Sequence, residues 1–278
     1  MIPAESIKLA GAAWSWVGAT FAESAAIYRV LGVSALDFLA VPGSRFDTYQ
    51  IAADPAGEAC KLKSLGDELS NLLMFFGNDF RDRAVNDPDA AVRDANLETF
   101  RRVLDFCATA GFHSVTVLPG VEQPNHSRGE SLAWTAIELN RLNDAAKEAG
   151  ILLVYEPHVQ SILESPQDTL AFAQANSDVN LIIDYSHCVS LGYTSDDLAP
   201  LVPFAGHVHL RQAAPGKIQA RWEEGTIDFP ALVGLLKRSG YQGYLTLEYE
   251  HDKFWNMDLC DVMTETIKMR DAVLPCIS

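Results

Sequence analysis

Four apolar segments in the second half of the chain end on side chains that ligate divalent ions. They read Tyr155-Glu156-Pro157-His158, Asp184-Tyr185-Ser186-His187, His207-Val208-His209-Leu210-Arg211 and Glu248-Tyr249-Glu250. A charge set in an apolar strand is costly unless it is paired or bound to an ion. These strands offer acidic and imidazole groups without an obvious cationic partner, so a shared metal ion is the economical explanation. Three carboxylates and one imidazole make a mainly oxygen site, which suits manganese, magnesium or cobalt and also admits zinc. Such a ligand set leaves about two octahedral positions for adjacent substrate oxygens. An ion chelated by a hydroxy-carbonyl group acidifies the neighbouring C–H and stabilises an enediolate. A carboxylate on either face of the substrate then removes and returns the proton.

Groups from separate segments meet only if the fold brings the segment ends to one face. The expected strands are Ile7–Ala12, Ala35–Val41, Asn71–Phe76, Ser114–Pro119, Ile151–Pro157, Leu181–Tyr185, Gly206–Arg211 and Tyr244–Glu250. Most are near-continuous apolar runs, as parallel strands covered on both faces should be. Helical stretches alternate with them: Phe21–Leu31 after Thr20, Ala90–Thr109 after Asp89, Glu130–Glu148 before Gly150, Gln167–Ala175 after Ser165-Pro166, Phe229–Ser239 before Gly240, and Asp258–Val273. An open doubly wound sheet would usually carry a glycine-rich phosphate loop after its first strand, but Ala13-Trp14-Ser15-Trp16-Val17-Gly18 stands there. A single α/β domain over residues 1–278, a closed (β/α)8 TIM barrel, is therefore expected. The length of 278 residues fits, since such barrels run to ~250 residues. The longest expected loops, Pro42–Pro55, Gly120–Gly129 and Gln212–Thr226, follow strands two, four and seven on the catalytic face.

Composition narrows the partners. A net charge of −16 repels phosphate backbones and anionic lipid, which argues against nucleic acid and membrane surfaces. No apolar run approaches the ~18 residues of a membrane span. The opening Met1-Ile2-Pro3-Ala4-Glu5 lacks a basic segment leading into an apolar stretch, so a cytoplasmic protein is expected. Five scattered cysteines without a C-x-x-C pair argue against a disulfide framework, and most are expected as buried thiols. Cys188 stands apart because its neighbours are candidate functional groups.

The order of the motifs resembles the sugar isomerase/epimerase superfamily with the xylose-isomerase-like barrel. That group includes ketose 3-epimerases, hydroxypyruvate isomerase, inosose dehydratase and endonuclease IV. The resemblance spans nearly the whole chain and is densest from Ile151 to Glu250. It is carried by Tyr155-Glu156-Pro157, Asp184-x-x-His187, His207-x-His209, Glu224-Gly225-Thr226-Ile227-Asp228-Phe229, and Gly240-Tyr241-Gln242-Gly243 leading to Glu248. The resemblance implies that Glu156, Asp184, His209 and Glu248 ligate the metal, and that Glu156 and Glu248 also form the acid–base pair. It implies that His187 contacts substrate oxygens. Arg211, two residues beyond His209 on the same strand face, is read as an oxyanion or hydroxyl clamp from its position.

Two positions depart from the ketose 3-epimerase pattern. Ile162 stands where those enzymes have a second glutamate, and Pro215 where they have an arginine. His158, Glu250, Lys217, Arg221, Glu122 and His126 are the groups on offer instead. Trp14 and Trp16 follow strand one at the barrel mouth, where Trp14 is placed to stack on a sugar face, with core packing as the alternative. His207 reads as a hydrogen-bonding support deeper in the barrel. His126 reads as surface, and His113 as part of the opposite, stability face.

The leading expectation is a metal-dependent isomerase or epimerase acting on a keto-sugar or related polyol, with a homo-oligomer in keeping with such barrels. The rival is a lyase or dehydratase that removes the same proton and expels a β substituent from a keto-sugar, keto-glycoside or inosose. A non-catalytic sugar-binding barrel is a third class. The nuclease branch needs further histidines on strands two to four, where Ala40-Val41, Gly77-Asn78 and Pro119-Gly120 stand instead.

Overall fold

The computed structural model describes residues 7–277; the opening segment Met1–Ser6 lies outside them. Eight parallel strands close into a barrel in sequence order. They are β1 (Lys8–Ala12), β2 (Ala35–Ala40), β3 (Glu68–Met74), β4 (Phe112–Val117), β5 (Leu152–Tyr155), β6 (Asn180–Ile183), β7 (Ala205–Leu210) and β8 (Tyr244–Leu247). Pairing of β1 with β8, Lys8 opposite Tyr244 through Gly11 opposite Leu247, seals the cylinder. Parallel neighbours need crossovers, and the helices that supply them cover the outer face.

These helices are α1 (Phe21–Val30), α2 (Thr48–Ala53), α3 (Pro55–Lys63), α4 (Ala90–Ala110), α5 (Arg128–Ala149), α6 (Pro166–Ala175), α7 (Tyr185–Ser190), α8 (Ser195–Leu198), α9 (Phe229–Ser239) and α10 (Val262–Ile277). Their limits are written in local chemistry. Thr20 with Glu23, and Ser127 with Glu130, form reciprocal capping boxes that start α1 and α5. Gly111, Gly150 and Gly240 end α4, α5 and α9 in left-handed conformation, where a side chain would be strained. Between barrel and helices, Phe38 of β2 packs edge-on against Phe21 and Phe112 and tilted against Phe46, at centroid distances of 5.0–6.0 Å. Burying each such ring contributes roughly 1.5–3 kcal/mol.

Strand positions follow expectation more closely than strand ends. β5, β6 and β8 stop two or three residues earlier than the apolar runs suggest, so Glu156, Asp184 and Glu248 sit just beyond the last paired residue. β3 begins at Glu68, three residues before Asn71. The stretch Pro42–Pro55, expected as loop, holds α2, capped by Asp47 and ended at Asp54, which caps α3 in turn. The last helix starts at Val262 rather than Asp258, after a short 3-10 segment over Phe254–Leu259. His113 lies within β4 rather than before it. Cys107, Cys188 and Cys260 are buried, as expected for most of the five thiols, whereas Cys60 is exposed and Cys276 half-buried. Among the described residues, no helix is long and apolar enough to cross a membrane.

Candidate metal centre and active site

At the C-terminal mouth of the barrel, Glu156, Asp184 and His209 each present a ligand atom, all within 4.8 Å of one another. Glu156 leaves the end of β5, its backbone N–H bonded to the Val117 carbonyl of β4 at 3.1 Å. Asp184 follows β6 and caps α7: its Oδ1 accepts the Ser186 N–H at 2.8 Å, which leaves Oδ2 toward Arg211 and His187. His209 Nδ1 lies 3.3 Å from Glu156 Oε1 and 3.3 Å from Glu248 Oε2. All four side chains are almost wholly buried.

Asp37 of β2 orders this set from below. Its Oδ2 accepts from His207 Nε2 at 2.7 Å and from His209 Nε2 at 3.3 Å, while Ser70 Oγ donates to Oδ1. A carboxylate accepts only from N–H, so Nε2 of His209 carries the proton and Nδ1 turns its lone pair upward once that nitrogen is deprotonated. His207 also reaches Thr246 Oγ1 at 3.0 Å, in the supporting place expected for it. Asp37 itself was not among the sequence candidates. The signal was there, since it interrupts Ala35-Leu36-Asp37-Phe38-Leu39-Ala40 as the later carboxylates interrupt theirs.

Electrostatics of the centre follow from this packing. Burial works against a charge on His209, but Glu248, Asp37 and Glu156 hold the imidazole well above its ordinary range. Glu156 is held well below the usual carboxylate range despite burial, through His187 and His209. Asp37 is likewise lowered against burial by His207 and His209. His158, half-buried, is pushed down to about 3 by desolvation and by the neighbouring His187. Burial and the neighbouring Glu248 push Glu250 up to about 7.

One expectation is corrected. The late strands do carry a cationic partner: Arg211 Nη2 lies 3.0 Å from Asp184 Oδ2 and 3.7 Å from Glu248 Oε2, while Nη1 reaches Glu250 Oε1 at 3.0 Å. One guanidinium against Glu156, Asp184, Glu248 and Glu250 still leaves the cluster strongly acidic. The residues also fit a divalent ion on their own geometry. His209 Nδ1 and Glu248 Oε2 are buried with no aligned hydrogen-bond partner, although they face each other at 3.3 Å. With an ion in place of the Nδ1 proton, the Nδ1 lone pair and Glu248 Oε2 would face one buried point, which is the donor set a cation satisfies.

The surrounding cavity, of about 150 Å³, is lined among others by Trp14, Phe80, His158, His187, Arg211 and Glu250. His187 Nε2 lies 3.4 Å from Asp184 Oδ2 and 3.7 Å from Glu156 Oε1. His158 stacks on His187 at 3.9 Å and sits against Phe80 and Trp255. Trp14 stands edge-on to His209 at 6.1 Å. The other candidates fall outside the cavity. Lys217 pairs with Glu224 and Glu122 with Arg128, while His126 packs against Trp134. Arg221 precedes a one-turn 3-10 helix. Ile162 is buried and anchored by its N–H to Gly120 O. Cys188 lies in α7 with its thiol pushed up to about 12 by burial, a packing group rather than a nucleophile.

A closed parallel barrel with acidic and imidazole groups converging at the strand C-termini defines the class of protein: a (β/α)8 barrel with a candidate metal site at its mouth. Residues 28–271 match the family described as xylose isomerase-like TIM barrel, and the chain belongs to it. Its sequence is 28% identical over 138 residues, 41% of this chain and 46% of the relative, to an inosose dehydratase of Clostridium perfringens. The chain thus spans about half the length of the curated relatives it matches. Its fold is similar to apo 3-keto-D-glucoside 4-epimerase, YcjR, of E. coli (TM-score 0.72, 17% identity, covering 97% of this chain and 100% of that one). It is similar also to the IolI protein with a bound zinc atom (TM-score 0.72, 15% identity, 98% and 100% covered).

Proposed function

We propose that the protein is a divalent-metal-dependent isomerase or epimerase of a keto-sugar or related polyol. The observation that carries this reading is the meeting of Glu156 and Glu248 on one imidazole nitrogen, each 3.3 Å from His209 Nδ1, with Asp184 beside them. Glu156, Asp184, His209 and Glu248 would hold the ion: manganese, magnesium or cobalt by their mainly oxygen chemistry, or zinc as in the IolI neighbour. Once bound, it would polarise a substrate carbonyl and lower the pKa of the adjoining C–H.

The chain's own groups do the rest. Glu156, from β5, and Glu248, from β8, approach the cavity from different strands, as a base that removes a proton and an acid that returns one must. Burial keeps water from competing and strengthens each charge interaction. His187 and His158 lie over the cavity where substrate hydroxyls would stand, and Arg211, in contact with His187, offers further donors there with Glu250 beside it. Trp14 gives an apolar face for the sugar's C–H groups.

A lyase reading is supported by the match to inosose dehydratase and by Ile162 where a ketose clamp would need a carboxylate. The two readings share proton removal and differ in what leaves. Protein reconstituted with Mn²⁺ is incubated in D₂O with ketohexoses and with a 3-keto-glycoside. Deuterium incorporation without fragmentation is the expected result, and release of the β substituent or of water would turn the assignment to the lyase. No exchange with any substrate would reject both, leaving a sugar-binding barrel.

A further inference from the structure

Arg211 contacts two groups of partners through different nitrogens. Nε donates to Ser186 Oγ at 2.9 Å and Nη1 to Glu250 Oε1 at 3.0 Å. Nη2 faces two candidate ligands, Asp184 Oδ2 at 3.0 Å and Glu248 Oε2 at 3.7 Å, and also His187 Nε2 at 3.3 Å. It is the only lysine or arginine among the described residues lining this cavity. It is also buried, with 3% of its surface exposed.

Asp184 has two oxygens, and Oδ1 is spent on the Ser186 N–H. The oxygen left for an ion is the one Nη2 occupies. A guanidinium stays charged in any protein environment, so a divalent ion on that oxygen would meet a like charge at close range in a dry site. The two cations compete for one carboxylate.

We infer that Arg211 is the resident counter-cation of the metal-free centre, competing with the divalent ion for Asp184 and Glu248, and that Glu250 with Ser186 retains the guanidinium when Nη2 is displaced. This rests on the metal centre proposed above and goes beyond it. Without such a cation, the buried carboxylates Glu156, Asp184 and Glu248, with half-buried Glu250 beside them, would repel one another and strain the barrel mouth. The arrangement therefore keeps the metal-free barrel folded and lowers its affinity for the ion.

The test is Mn²⁺ binding by isothermal titration at fixed pH and ionic strength, with thermal unfolding of metal-free and Mn²⁺-saturated protein. Arg211→Met keeps the length of the side chain and removes its charge. The variant should bind Mn²⁺ roughly tenfold more tightly than wild type. Its metal-free melting temperature should fall, with the gap closing on saturation. A supporting residue that merely orients a ligand behaves oppositely, its removal weakening metal binding by about 10–100-fold. Weaker or unchanged binding by Arg211→Met therefore overturns the inference while leaving the metal centre intact. Failure of wild type to bind any of Mn²⁺, Co²⁺ or Zn²⁺ would remove the centre itself, and this inference with it. If Arg211→Met does not fold, Glu250→Gln carries the test. Deprived of one anchor, the guanidinium leans on Asp184 and Glu248, and Mn²⁺ binding should weaken by roughly tenfold against wild type; unchanged binding overturns the inference.

Discussion

Asp37 Oδ2 and His209 Nε2 stand 3.3 Å apart inside the barrel, and that contact fixes which nitrogen of His209 faces the candidate metal centre. The carboxylate arrives from β2 and the imidazole from β7, so the closed barrel joins groups that are 172 positions apart in the chain. Asp37→Asn keeps the shape but permits the amide to donate where the carboxylate only accepts. The imidazole then loses its enforced tautomer. Metal affinity should fall by about 10–100-fold, as for other outer partners of metal ligands, with secondary structure unchanged by circular dichroism. Wild-type affinity in titration calorimetry would show that His209 needs no such support.

Glu156 and Glu248 face one nitrogen from two strands, which predicts unequal but severe effects of neutralising either. Glu156→Gln and Glu248→Gln should each lower proton exchange into a ketose by about 10²–10⁴-fold, the usual share of a positioned acid or base. Part of that loss will be metal affinity, so turnover is compared at saturating Mn²⁺. Full activity in either variant would remove that residue from the acid–base pair.

The late strand ends were readable because each charge interrupts an apolar run, and only a partner or an ion makes that tolerable. The same rule applied to Asp37, but it lies far from the motifs in sequence and its partners only become visible once β2 meets β7. Arg211 was legible as a site residue and misjudged in its neighbours, since its reach across to Asp184 depends on side-chain direction, which spacing does not give. Strand limits drifted by two or three residues because the ligand-bearing turns remain apolar after the ladder ends, as in Tyr155-Glu156-Pro157. α2 was not legible because Pro42–Pro55 reads as turn-forming, while Asp47 caps a helix there.

Gly11 of β1 has no room for a side chain. A Cβ there would lie 2.3 Å from the Tyr28 ring, and Tyr28 is fully buried with its hydroxyl near the carbonyl oxygens of Ala12 and Leu247 at 3.2 and 3.3 Å. Gly11→Ala should therefore push Tyr28 off the seam between β1 and β8, at a cost of about 1–3 kcal/mol for overpacking. Thermal unfolding should show a drop of about 2–4 °C for each kcal/mol. Because Leu247 precedes Glu248, metal affinity should weaken as well. An unchanged melting temperature would mean that the seam yields without strain.

Stripping the metal should lower stability without abolishing the fold. An ion that binds only the folded barrel stabilises it by about 2.7 kcal/mol when present at 100 times its dissociation constant. The charges it would neutralise belong to Glu156, Asp184 and Glu248, and in its absence Arg211 and protonated His209 offset part of their repulsion. Protein treated with a chelator and dialysed should therefore unfold cooperatively at a lower temperature and regain the difference on addition of Mn²⁺. The recovery should follow ion concentration and vanish in a variant carrying both Glu156→Gln and Asp184→Asn. A melting temperature indifferent to chelator and to added Mn²⁺, Co²⁺ and Zn²⁺ would show that these carboxylates do not share an ion.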